Sequence, residues 1–153
     1  MEDKTKALEL CKYDRSRDLD YYVSNVAIIV GRVRGVGRST HAYVKELRKA
    51  LQTLVFSAWG KTELIPIIAK SNVPDDIYSN QARECFEDLL KSILIRFYEL
   101  TKEMPAGARI RLMNMLIDAV AETASRPSVY TPVGKEIINA FFSSHSEFGG
   151  ENE

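Results

Sequence analysis

Apolar residues recur along this chain at helical spacing. Leu19, Tyr22, Val23, Val26, Ile29, Val30 and Val33 follow the i, i+3, i+4, i+7 pattern that lines one face of a helix. Ser16 or Asp18 can cap its start, and Gly31, Gly35 and Gly37 weaken its end. A second stripe, Val44, Leu47, Leu51, Leu54, Val55 and Ala58, follows the cap candidates Ser39 and Thr40 and stops at Gly60, a C-terminal cap glycine. Thr62 is placed to cap a short connecting helix that reaches about Lys70, with Pro66 near its first turn. The residues Asn72 to Asp76 then read as a turn.

The clearest stripe is Phe86, Leu89, Leu90, Ile93, Leu94, Phe97 and Leu100, in a helix from about Ser79 to Glu103. Another helix carries Ile110, Met113, Leu116, Ile117 and Val120 and stops near Pro127. Thr131-Pro132 is an N-cap with proline at the first helical position, and it opens a last helix through Ile137, Ile138, Phe141 and Phe142. No pair of strand-like runs with a hairpin turn occurs. The pattern predicts an all-α fold: one domain over 1–148, a bundle of about five amphipathic helices plus a short connecting helix, with 149–153 as a frayed acidic tail.

Charge changes this picture. The chain has 21 basic and 21 acidic residues, so its net charge is zero. The signs are nevertheless segregated. Arg32, Arg34, Arg38, Lys45, Arg48 and Lys49 stand against Glu46 alone between Gly31 and Lys49, whereas Asp75, Asp76, Glu84, Glu87 and Asp88 stand against Arg83 alone. At about 100° per residue, His41, Lys45, Arg48, Lys49 and Gln52 share an arc of roughly 100° beside the apolar stripe of the second helix. The expected partner of such a ridge is phosphate, because arginine forks and helix-start amides both donate to phosphate oxygens. Arg109 and Arg111 are further candidates. The alternative is a solvated basic face that pairs with the acidic segment.

Signs of catalysis are sparse. The run from Ala27 to Thr40 looks like a strand and a phosphate loop. However, Gly31 to Gly37 is one residue too long for G-x-x-x-x-G-K-[ST], and Arg38 stands at the lysine position. His41 and His145 are too few for a multi-histidine metal site, and Asp118 and Glu122 form an i, i+4 pair without a histidine partner. No nucleophile motif surrounds any serine. The expectation is a protein that is not an enzyme and needs no cofactor or metal. Cys11 and Cys85 have no partner at metal-ligand spacing and read as two thiols of a reducing cytoplasm rather than a disulfide. The acidic start Met1-Glu2-Asp3-Lys4 argues against a signal peptide, and the longest apolar run, Val26 to Val30, is too short to span a membrane.

Three stretches resemble the small helical subunit of type III-A (Csm-type) CRISPR effector complexes. They are Arg38-Ser39-Thr40 through Glu46-Leu47-Arg48-Lys49-Ala50-Leu51; the helix Phe86 to Glu99, with its Arg96-Phe97-Tyr98-Glu99 run; and Ile137 to His145. Together they cover roughly residues 38–148. The family's Thr-Thr-Ser run is only Ser39-Thr40 here, and Leu100-Thr101-Lys102 replaces its Ala-Gly-Arg. The resemblance implies a non-catalytic subunit that stacks along a ribonucleoprotein complex. It would touch other subunits, could meet copies of itself head to tail, and would contact the backbone of a guide–target RNA duplex. It adds Arg96 and Lys102 to the RNA-contact candidates. Three other readings stay open: a helical protein-interaction adaptor, a small DNA-binding regulator using the Thr40–Ala58 helix, and a nucleotide hydrolase.

Overall fold

The computed structural model describes residues 2–33, 40–75, 77, 79–124 and 131–142. Helices α1 (Glu2–Cys11), α2 (Leu19–Val33), α3 (Thr40–Gln52), α4 (Ile65–Ser71), α5 (Asn80–Thr101), α6 (Ala106–Ala124) and α7 (Pro132–Ile137) follow in order. The fold is all-α, and the described residues contain no strand. Every residue from Asn25 to Val30 is buried, so α2 is surrounded by its neighbours rather than lying on the surface. It packs on α5, α6 and α7. The Ala27–Val30 run that resembles the strand before a phosphate loop is therefore helical core.

The expected stripes of α3, α5 and α6 meet in one core, with Leu47, Leu51, Leu54, Phe86, Leu89, Leu90, Phe97 and Ile117 buried. Leu100 departs from its stripe and is 52% exposed. Past Gln52 the α3 backbone widens into a π turn, Thr53–Ser57. The extra residue in that turn lets Leu54, Val55 and Ala58 all face inward while Phe56 is left outside. Gly60, at φ +86°, then reverses the chain in a left-handed conformation that a side chain disfavours.

Caps fix the boundaries. Asp18 Oδ1 accepts from the Tyr21 amide at 3.0 Å at the start of α2, Ser79 Oγ from Ala82 N at 3.3 Å at α5, and Thr131 Oγ1 from Gly134 N at 2.9 Å at α7. Thr62 does not cap a helix as expected. It opens a 3₁₀ turn, Thr62–Leu64, that leads into α4, and no side chain caps either start. From Ile138 to Phe142 the last helix continues as a π turn. Gly134 lets α7 approach α2 closely: a Cβ there would lie 2.9 Å from Ile28 Cδ1 and 3.3 Å from Asn25 Oδ1.

Two features correct the sequence reading. Helix α1 is an additional element, held across α5 and α7. Only Ala7 and Cys11 of its described side chains are fully buried, so its stripe is too narrow to stand out in a charged segment. The cysteines are also not free thiols: Cys11 and Cys85 form a disulfide with Cα atoms 5.2 Å apart, across a sequence separation of 74. Spacing along the chain carries no sign of this pairing, because the docking of α1 on α5 creates it.

Candidate nucleic-acid interface

The eleven residues that the sequence marks as RNA contacts fall into four groups. Arg34 and Arg38 lie outside the described residues, and so do the side chains of Arg32 and His41. Lys45, Arg48 and Lys49 share one edge of α3; Arg96 points inward; Lys102, Arg109 and Arg111 lie near the turn between α5 and α6.

The α3 edge is built by the helix period. Val44, Leu47 and Leu51 turn into the core, which leaves Lys45 and Lys49 exposed and one turn apart, roughly 6 Å along the axis. Arg48 borders the apolar stripe and is half-buried, with its aliphatic stem able to cover apolar surface below the guanidinium. Lys49 lies 3.6 Å from Glu46, an i, i+3 pair with the lysine side chain 56% exposed, so water competes for that contact. Among the described residues Lys45 and Arg48 make no ion pair. The Thr53 hydroxyl donates to the Lys49 carbonyl at 2.8 Å, which ties the π turn to the helix above it.

Among the described residues, no carboxylate of the acidic segment pairs with this edge. Lys12 reaches Asp88 at 3.2 Å and Glu84 at 3.4 Å, and Lys91 stands 3.7 Å from the other Asp88 oxygen. Burial works to lower the Lys12 pKa, but the hydrogen bonds and charges of Asp88 and Glu84 outweigh it and hold the ammonium above its usual range. Arg83 uses its guanidinium on the Pro74 and Ile77 carbonyls, at 2.8 and 3.1 Å, and so closes the turn before α5.

Arg96 is a strut rather than an open contact. Its guanidinium donates to the Arg15 carbonyl at 2.6 Å, to the Arg17 carbonyl from both Nε and Nη2, and to Glu99 at 2.9 Å. It also sits over the Tyr13 ring, 5.6 Å from the centroid. All of this fastens the α1–α2 connection along α5. Tyr13 donates to Glu99 at 3.0 Å, and its pKa is raised by burial and by that carboxylate. The Tyr22 hydroxyl takes both backbone polar groups of Asp14, accepting at 2.7 Å and donating at 2.9 Å, and burial raises its pKa as well. The charge expected from the sequence to contact RNA is consumed by the fold, because the carbonyls it serves belong to a connection about 80 residues earlier, where no local pattern points to them.

At the α5–α6 end, Arg109 stacks over Trp59, 4.0 Å from the ring centroid, and donates to the Met104 carbonyl at 3.3 Å. Trp59 in turn packs on Tyr98 at 4.7 Å and on Phe97 at 6.4 Å. Sequence reasoning missed Trp59 as the platform for that arginine; its position beside a turn glycine was the one local signal. Arg111 and Lys102 are exposed. Lys102 borders an open cleft of about 430 Å³ with Thr62, Ile65, Pro66, Ile95, Tyr98 and Glu99. Trp59 lies beyond the end of α3 and the π turn Thr53–Ser57, so its arginine platform is not part of the α3 edge.

Among the described residues, no group of three or more His, Cys, Asp or Glu side chains is placed to hold a metal ion. No described helix is long and apolar enough to cross a membrane. No family model, curated protein or solved structure matches the chain.

Proposed function

We propose that this chain is a non-catalytic helical subunit of a ribonucleoprotein complex that holds an RNA backbone along the outer edge of α3. What supports the reading is one contrast. Lys45 and Arg48 have no acidic partner among the described residues, whereas the carboxylates of Glu84 and Asp88 are engaged by Lys12 and Lys91. Cations left open on a rigid helix beside a packed core form a preorganised line for phosphates, and contact with the backbone needs no base-reading motif. The expected ligand is the guide–target duplex of a CRISPR-type effector, and the expected neighbours are its other subunits or further copies of this chain. Arg96 is withdrawn from the contact set, and Arg109 serves Trp59 first. In a cytoplasmic setting the Cys11–Cys85 bridge would meet reductant only when the α1 end opens, since both residues are fully buried in the closed fold.

The test is the salt dependence of binding to a labelled RNA duplex. Wild-type affinity is expected to fall linearly on a logarithmic salt axis. The Lys45→Ala/Arg48→Ala/Lys49→Ala variant is expected to flatten that slope by about 2 to 3 units, at up to about 0.9 for each phosphate that is no longer neutralised. Identical slopes and affinities would sink the proposal. A protein-interaction role is the second reading, favoured by the exposure of Phe56, Ile67 and Met115 at 60%, 61% and 65%. That role predicts no RNA binding at low salt.

A further inference from the structure

The N-terminal helix is poorly equipped to stay docked by packing alone. Ala7 and Cys11 are its only fully buried described side chains, while Leu8 and Leu10 are partly buried. Lys4, Lys6 and Glu9 are exposed. One of the two anchors is itself the disulfide cysteine. Beside the bridge, Lys12 makes the contacts to Glu84 and Asp88, with 40% of its side chain exposed, so these contacts are weak and sensitive to salt. By contrast, α2, α3, α5 and α6 bury wide apolar faces and pack on one another, whereas α1 packs on α5 and α7. The molecule thus combines a bundle of mutually packed helices with a peripheral helix held by few buried side chains, the exposed Lys12 pairs, a hydrogen bond from the Tyr21 hydroxyl to the Leu10 carbonyl and one disulfide.

We infer that α1 is a redox-controlled latch. With the Cys11–Cys85 bridge closed, it lies across α5 and α7; with the bridge opened by a dithiol, it leaves the bundle and uncovers those helices. The chemistry is a two-electron exchange. A thiolate of the dithiol attacks one sulfur and forms a mixed disulfide, and the other cysteine departs as a thiolate that takes up a proton. The second thiol of the reductant then closes its own disulfide and frees the first cysteine, so the protein gains two thiols and the reductant gives up two. Both sulfurs belong to fully buried residues, so attack waits on opening of the α1 end, and the ion pairs of Lys12 set how often that happens. This inference does not depend on the RNA reading.

Hydrogen exchange of the full-length protein, read by mass spectrometry with and without dithiothreitol, tests it, with thiol alkylation counting the cysteines released. In the oxidised protein, peptides over 4–12 are expected to be protected. After reduction they should exchange at least tenfold faster, while peptides over 86–97 and 113–120 change less than threefold; reoxidation with glutathione disulfide should restore the original pattern. Unchanged protection of 4–12 in protein with two alkylated cysteines would overturn the latch, because packing would then suffice. Loss of protection throughout would also overturn it, because the bridge would then hold the whole fold. A bridge that stays closed in native buffer at millimolar dithiothreitol would overturn it as a switch.

Discussion

Replacing Arg96 with alanine separates a structural arginine from an RNA-binding one. The side chain is 18% exposed and donates to two carbonyls of the α1–α2 connection and to Glu99. The part-buried bonds to Arg17 O are charge-assisted, a class worth about 1.5–3 kcal/mol. The contacts to Arg15 O and Glu99 are solvent-exposed and add about 0–1 kcal/mol. A guanidinium 5.6 Å above the Tyr13 centroid adds about 0.5 kcal/mol. Arg96→Ala should therefore cost about 2–4.5 kcal/mol, and urea unfolding followed by circular dichroism should show the midpoint falling by about 1–2 M at a slope of about 2 kcal/mol/M, with that slope unchanged. Arg96→Lys should recover little of this, since an ammonium cannot reproduce a fork that spans two carbonyls. Neither variant should alter the salt slope of RNA binding. If Arg96→Ala stayed within about 0.5 kcal/mol of wild type and the slope fell by about 0.7–0.9, the strut assignment would be refuted and the side chain would be a phosphate contact.

Two further outcomes are expected from packing and titration. Gly134→Ala should lower stability by about 1–2 kcal/mol in thermal melts, because its Cβ would meet Ile28 Cδ1 at 2.9 Å and Thr131 Oγ1 at 3.0 Å, a clash of the kind that costs about 1–3 kcal/mol against at most about 1 kcal/mol of helix propensity gained; an unchanged melting temperature would contradict the close approach of α7 to α2. Folded-state pKa values of Tyr13, Tyr21 and Tyr22 are raised above 10.0 by burial, and that of Lys12 is raised above 10.5, where the pairing with Asp88 and Glu84 outweighs burial. Groups shifted in this direction contribute stability that is complete below their unfolded values and fades as pH climbs through the folded ones. Melting temperature should thus fall above about pH 10, and Lys12→Met should show a smaller fall; equal declines in the two proteins would remove Lys12 from the account.

What could be read from the chain follows the physics of each element. Helices α2, α3, α5 and α6 bury wide stripes, and period alone reveals a stripe of that width. Asp18, Gly60 and Thr131 act within a few residues of themselves, so their roles as caps or turn formers were visible locally, whereas Ser79 was legible only as the approximate start of its helix and not as its cap. Helix α1 was not visible, because only two of its described side chains are fully buried and its covalent tie joins a cysteine 74 residues away. The site divides in the same manner. Lys45, Arg48 and Lys49 are set on one edge by their own helix, as spacing predicts. Arg96 and Arg109 are claimed by partners distant in sequence, the Arg15 and Arg17 carbonyls and the Trp59 ring, so charge alone overstated their availability.

The seating of Trp59 between a guanidinium and two aromatic rings gives the protein a built-in optical reporter. It is the sole indole in the chain, so its emission comes from one place, the junction of α5, α6 and the turn after α3. Displacement of Arg109 toward an arriving anion would strip the positive charge from one ring face and change both the colour and the anisotropy of that emission, with no dye attached and no residue replaced.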